Sequence, residues 1–178
     1  MASIGFIGMG NMGTAIIKGL LSHGFAAEEL MFTDADKEKG RNKEKEMGVC
    51  FAESNLDCAR KVNYLVLAVK PQYYETVLQE IRPAVNKDQI VISIAPGKTI
   101  DYLHKMLGEE IRIVRAMPNT PALLGEGMSG VCMNGEKFSQ EEKAMIERFF
   151  CSFGKMEIVE ERLMDAVVCA SGSSPAYV

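Results

Sequence analysis

The amino-acid sequence predicts a doubly wound α/β domain, a mainly parallel sheet with helices on both faces. Three observations predict it. Short apolar runs alternate with longer amphipathic stretches along most of the chain, the pattern of βαβ units. The first apolar run passes directly into a glycine-rich turn and then a helix. Glycines stand where the first two helical patterns end, at Gly24 and Gly48.

The elements follow in order. Residues 4–7 read as a strand, 11–23 as a helix stopped by Gly24, 30–33 as a strand, and 36–47 as a charged helix stopped by Gly48. Residues 64–69 form a strongly apolar strand, 72–81 a helix, 90–94 a strand, 99–107 a helix and 111–115 a strand. The later part is less regular. Met117-Pro118-Asn119-Thr120-Pro121 is a loop, because two prolines bracket it. Residues 127–133 read as a strand and 139–152 as a helix, with Ser139 as N-cap and Glu142 as its capping-box partner. A last strand is expected over 156–159, and 161–170 reads as the start of a further helix. The closing Pro175-Ala176-Tyr177-Val178 reads as a helical first turn with Pro175 near N1. The expected division is a dinucleotide-binding domain over residues 1–160, followed over 161–178 by the truncated start of an all-helical domain.

Bulk composition narrows the function. The 178 residues suffice for one sizeable core. Hydrophobic residues make up 47% and charged residues 25%, ordinary for a globular domain. The net charge of −4 argues against nucleic acid as a partner, since binding a phosphate backbone needs a basic surface. No apolar run approaches the roughly 20 residues of a membrane span, and the N-terminus lacks the features of a signal peptide, so a cytoplasmic location is expected. The five scattered cysteines form no Cys-x-x-Cys pair and there are only two histidines, so no metal site is expected.

Gly8-Met9-Gly10-Asn11-Met12-Gly13 is a G-x-G-x-x-G between a strand and a helix. Gly8 permits the tight turn, Gly10 lets backbone approach a pyrophosphate, and Gly13 lets the helix pack close to the sheet. The helix then presents free N–H groups and a positive dipole to an anion. This is the Rossmann fingerprint in its proper context. It also expects a carboxylate about 20 positions on, at the end of the second strand. Asp34 stands there. A carboxylate can accept hydrogen bonds from ribose hydroxyls, which favours NADH, and repels a 2′-phosphate. Lys37, Lys39 and Arg41 lie just downstream and can offset that repulsion, so NADH and NADPH both stay open. Asp34 could instead cap the next helix, a role equally open to Asp36.

Other candidates come from the rule that ligands sit at the carboxyl ends of parallel strands. Ala68-Val69-Lys70-Pro71 closes one strand and Ala95-Pro96-Gly97 follows another, its small residues allowing close backbone approach. Asn119 and Thr120 lie in the proline-bracketed loop, a preorganised polar segment at the ligand edge. No Ser/His/Asp arrangement occurs, and His23 and His104 read as structural or surface residues.

Together these strings resemble the pyrroline-5-carboxylate reductase family. The resemblance rests on Ile4-Gly5-Phe6-Ile7-Gly8-Met9-Gly10-Asn11-Met12-Gly13, Ala68-Val69-Lys70-Pro71, Met117-Pro118-Asn119-Thr120-Pro121-Ala122 and Ser171-Gly172-Ser173-Ser174-Pro175-Ala176-Tyr177, in that order along the chain. It implies an oxidoreductase that reduces the cyclic imino acid 1-pyrroline-5-carboxylate to L-proline with NADPH or NADH, the last step of proline biosynthesis. Hydride from the dihydronicotinamide would reach an electrophilic C=N carbon, so little acid–base machinery is needed and no general acid is assigned. Asp34 and Asn55 would lie on the adenosine side, Ala68, Val69, Lys70, Pro71, Ala95 and Pro96 along the remainder, Asn119 and Thr120 near the nicotinamide, and Glu161 toward the substrate.

The sequence departs from the family in two ways. The family commonly carries a small or hydroxyl-bearing residue at the position of Asp34. The family's second, helical domain, which forms a homodimer or higher homo-oligomer and grips the substrate carboxylate, has no counterpart in these residues. The chain alone is therefore expected to bind dinucleotide but to turn over poorly. A related hydroxyacid or cofactor-recycling dehydrogenase stays open and predicts a catalytic lysine in a following helical domain, whereas a non-catalytic dinucleotide-binding module shares the cradle but gives no reason for the proline-bracketed loop.

Overall fold

In the computed structural model, residues 3–173 are described; the expected helical turn at Pro175 lies outside them. Eight strands form one sheet in the order β3-β2-β1-β4-β5-β6-β7-β8. They are β1 (Ile4–Ile7), β2 (Leu30–Thr33), β3 (Cys50–Phe51), β4 (Tyr64–Leu67), β5 (Ile90–Ser93), β6 (Arg112–Met117), β7 (Gly127–Met133) and β8 (Gly154–Ile158). Every pairing is parallel except β6 with β7. The helices are α1 (Asn11–Ser22), α2 (Lys37–Met47), α3 (Asn55–Arg60), α4 (Tyr74–Ile81), α5 (Ile100–Leu107), α6 (Gln140–Cys151) and α7 (Met164–Val167).

The central strands are buried on both faces, which is why they read as continuous apolar runs rather than alternating ones. Successive residues nevertheless serve opposite cores. Phe6, Phe32, Val66, Ile92 and Val114 meet α1 and α6, where Phe149, Phe150 and Phe153 cluster. Ile7, Met31, Leu65, Leu67 and Val91 meet α3, α4 and α5. A sheet so covered is the doubly wound arrangement that the alternation predicted.

Several boundaries shift by a residue or two because caps decide them. Ser139 accepts Glu142 N–H and Glu142 returns the bond to Ser139 N–H, so α6 begins at Gln140. Thr99 caps α5 by accepting Tyr102 N–H. Asp36, not Asp34, caps α2 by accepting Lys39 N–H. Strand β4 ends at Leu67, two residues short of the expected 69, and β6 runs on to Met117. Strand β8 begins at Gly154, earlier than the expected 156.

Two elements were absent from the sequence reading, β3 and α3. Both are short, and α3 buries only the small residues Cys58 and Ala59. The expected continuous helix over 161–170 is instead a 3-10 turn (Glu161–Leu163), the short α7, and a π-helical segment (Val168–Ser173).

Candidate functional site

The strand order reverses between β1 and β4, so the helices after these strands lie on opposite faces and a crevice opens at their carboxyl ends. That is where α/β sheets place their ligands. The crevice is a cleft of about 590 Å³.

The turn after β1 forms its floor. Gly8 N–H donates to Thr33 O, and Ala68 N–H donates to Ile7 O, which ties the turn to β2 and β4. Gly8 has φ +98°, a conformation that a side chain would strain, and a Cβ there would lie 2.9 Å from Ala68 backbone. At Gly13 a Cβ would stand 2.6 Å from Gly8 O, so only glycine lets α1 sit this close to the turn. Around Gly10 nothing lies within 4 Å of such a Cβ. This is the open space that a ligand's phosphates can enter. Gly8 and Gly13 thus have the steric roles their spacing predicts, and Gly10 leaves the cleft open.

Helix α1 begins at this cleft without a side-chain cap and with no acidic residue in its first turn. Helices α2, α3, α5 and α6 are each capped by a side chain of their own N-cap residue. The first N–H groups of α1, on Asn11, Met12 and Gly13, are left for an anion, and the helix dipole favours one there. These residues fit a pyrophosphate.

Asp34 stands at the rim beyond β2. Its Oδ2 accepts Met9 N–H at 2.8 Å and its Oδ1 accepts Asp36 N–H at 3.0 Å. The carboxylate therefore braces the glycine turn and fixes its own orientation. Asn55, the first residue of α3, lines the same cleft and donates to Glu80 on α4 at 2.8 Å. Ala68, Val69 and Lys70 line the opposite wall.

Some lining residues were not singled out from the sequence: Glu53, Ser54, Tyr73, Thr76 and Glu80. Tyr73 is 56% exposed within this lining. Only tertiary packing of α3 and α4 brings these residues together. The Ser-x-x-Asp of Ser54 and Asp57, a capping pattern, was the available signal for α3.

The remaining candidates lie outside the cleft. Pro71 opens the 3-10 turn before α4, four residues after β4 ends at Leu67. Ala95 is buried and Pro96 exposed in the turn between β5 and α5. Asn119 is buried; its Oδ1 accepts Met128 N–H at 2.8 Å and its Nδ2 donates to Ser171 Oγ at 3.1 Å. Thr120 is exposed. Glu161 Oε1 accepts Ile100 N–H at 2.8 Å and lies 3.1 Å from Nη1 of Arg115, a buried arginine on β6. Beside it the Cys132 thiol is pushed up, first by burial and then by the Glu161 carboxylate. Asn119 and Glu161 thus tie the loops after β6 and β5 to the segment over 161–173. Among the described residues no group of three or more His, Cys, Asp or Glu could hold a metal ion, and no helix is long and apolar enough to cross a membrane.

A glycine turn beneath a switch-point crevice, an uncapped helix N-terminus and a carboxylate at the second strand's end define a dinucleotide-binding domain of the oxidoreductase kind. The chain belongs to the family described as NADP oxidoreductase, coenzyme F420-dependent, whose model matches residues 3–97.

Beyond that match, the chain is 41% identical over 176 residues to a pyrroline-5-carboxylate reductase of Escherichia coli, covering 98% of this chain and 65% of that protein. A solved pyrroline-5-carboxylate reductase from Coxiella burnetii superposes with a TM-score of 0.91 at 34% identity, over 99% of this chain and 66% of that one. A Plasmodium falciparum pyrroline carboxylate reductase solved with NADP bound gives 0.87 at 33% identity, over 99% and 64%. The chain spans about 65% of the length of the curated relatives it matches.

Proposed function

We propose that this chain is the dinucleotide-binding portion of an enzyme that reduces 1-pyrroline-5-carboxylate to L-proline with NAD(P)H. The observation that carries the reading is the uncapped N-terminus of α1 over a turn in which Gly8 and Gly13 are sterically required and Gly10 faces open space, at the sheet's switch point. The similarity to pyrroline-5-carboxylate reductases over nearly the whole chain supports the choice of reaction.

In this reading, backbone N–H groups of Gly10, Asn11, Met12 and Gly13 hold the pyrophosphate, Asp34 and Asn55 face the adenosine side, and Ala68, Val69 and Lys70 line the opposite wall. Ala95, Pro96, Asn119 and Thr120 lie toward the nicotinamide, and Glu161 stands at the substrate end. A reduced nicotinamide supplies the hydride, so the protein's part is to bind, orient and exclude water. Residues from 161 onward begin a second domain that completes the substrate site and forms a homo-oligomer. The enzyme works in the cytoplasm.

The test is oxidation of NAD(P)H by the protein over its natural full length, with 1-pyrroline-5-carboxylate as substrate and L-proline identified as product. Proline formed in step with cofactor oxidation supports the reading. Cofactor that binds but is not oxidised when the imine is added overturns the choice of substrate.

A further inference from the structure

The cleft is charged unevenly. Three carboxylates line it, Asp34, Glu53 and Glu80, against two ammonium groups, Lys37 and Lys70. Asp34 occupies the position at the end of β2 where a doubly wound fold meets the adenosine ribose. It is fixed there, because both of its oxygens already accept backbone N–H groups, from Met9 and Asp36. A carboxylate has about four acceptor sites, so two bonds leave capacity for ribose hydroxyls. Neither bond comes from a cation, so its charge is not neutralised by a partner.

Of the basic residues just downstream, only Lys37 lines the cleft, and each of Lys37, Arg41 and Lys43 already has a partner. Lys37 donates to the Glu53 carbonyl oxygen and lies 5.5 Å from the Phe51 ring centroid. Arg41 pairs with the Glu53 carboxylate at 3.1 Å and does not line the cleft. Lys39 lines a separate depression with Lys43 and Glu46. Lys43 donates to the Thr14 hydroxyl on α1. The Arg41–Glu53 pair is exposed on both sides and so weakly held. Drawing Arg41 out of it toward a 2′-phosphate would leave the Glu53 carboxylate, which lines the same cleft as Asp34, without its ion pair.

We propose that this site selects NADH over NADPH, with Asp34 as the specificity-determining residue. Asp34 accepts from the ribose 2′-hydroxyl and repels a phosphate placed on it. The proposal rests on the dinucleotide reading above and deepens it.

Both reduced cofactors are titrated into the protein at low salt, following nicotinamide fluorescence. NADH is expected to bind at least about tenfold more tightly than NADPH, since the two like charges would be close and poorly screened. Asp34→Ser removes the charge, and the gap should close to a few-fold or invert, through tighter NADPH. Because Asp34 also braces Met9, that variant can lose the turn itself. A second measurement therefore uses the unaltered protein: 5′-AMP should displace NADH at least about tenfold more effectively than adenosine 2′,5′-bisphosphate. Equal affinity for the two cofactors, or tighter NADPH, overturns the selectivity and leaves the dinucleotide site standing. If neither cofactor binds, the dinucleotide reading falls, and the selectivity with it.

Discussion

Arg115 and Glu161 meet across the carboxyl edge of the sheet. The guanidinium is buried on β6, and its Nη1 lies 3.1 Å from Glu161 Oε1, the same oxygen that accepts Ile100 N–H. One carboxylate thus closes the N-terminus of α5, partners a buried cation and fastens the segment after β8. Among the described residues Arg115 Nε has no hydrogen-bond partner, and its other carboxylate contact, Asp165 at 3.5 Å, is exposed, so the arginine depends heavily on Glu161.

Glu161→Ala should therefore destabilise the fold by about 1–3 kcal/mol, the cost of leaving a buried charged donor short of its acceptor. Glu161→Gln keeps an acceptor and should lose less. Urea denaturation of the three proteins checks the order. A loss of activity with unchanged stability in Glu161→Ala would instead mark Glu161 as a residue that serves only the substrate.

Gly10 and Gly13 should separate binding from folding. Gly10→Ala places a methyl group in open cleft space, so the protein should remain as stable as the parent while dinucleotide affinity falls. Gly13→Ala drives a Cβ toward Gly8 O, 2.6 Å away, so stability itself should drop by about 1–3 kcal/mol, the usual cost of overpacking. Thermal melts and cofactor titrations on both variants check this.

The thiols should divide by burial. Cys50, Cys151 and Cys169 are exposed and should react promptly with a thiol reagent in the folded state, whereas Cys58 and Cys132 should react only on unfolding. Burial pushes the Cys58 thiol from 9.0 up to about 12. An unfolded thiol ionises above its ordinary value while the folded one stays protonated, so stability is lost as pH rises through the window from about 9 to 12. In that window Cys58 should steepen the fall by up to about 1.4 kcal/mol per pH unit. Denaturation of Cys58→Ala across alkaline pH should show a shallower slope.

What could be read from the sequence was local. The cradle was legible because Gly8, Gly10 and Gly13 are close together, and Gly8 and Gly13 each have a steric reason. The capping box of Ser139 and Glu142 was legible for the same cause, and the bounds of β2 and β7 follow from their apolar runs. The rest of the cleft lining was not, because Glu53, Tyr73 and Glu80 come together only when α3 packs beside α4. The segment after β8 departed from its helical pattern where tertiary bonds hold it: Glu161 and Asp165 to Arg115, and Ser171 to Asn119.

The central claim is that the crevice between β1 and β4 holds a dinucleotide against the turn of residues 8–13. Amide chemical shifts recorded while NADH is added test it most directly. The account predicts saturable shifts at Met9, Gly10, Asn11, Met12, Asp34 and Val69, with α6 and β8 unmoved. Shifts confined to other surfaces, or none at saturating cofactor, would contradict it.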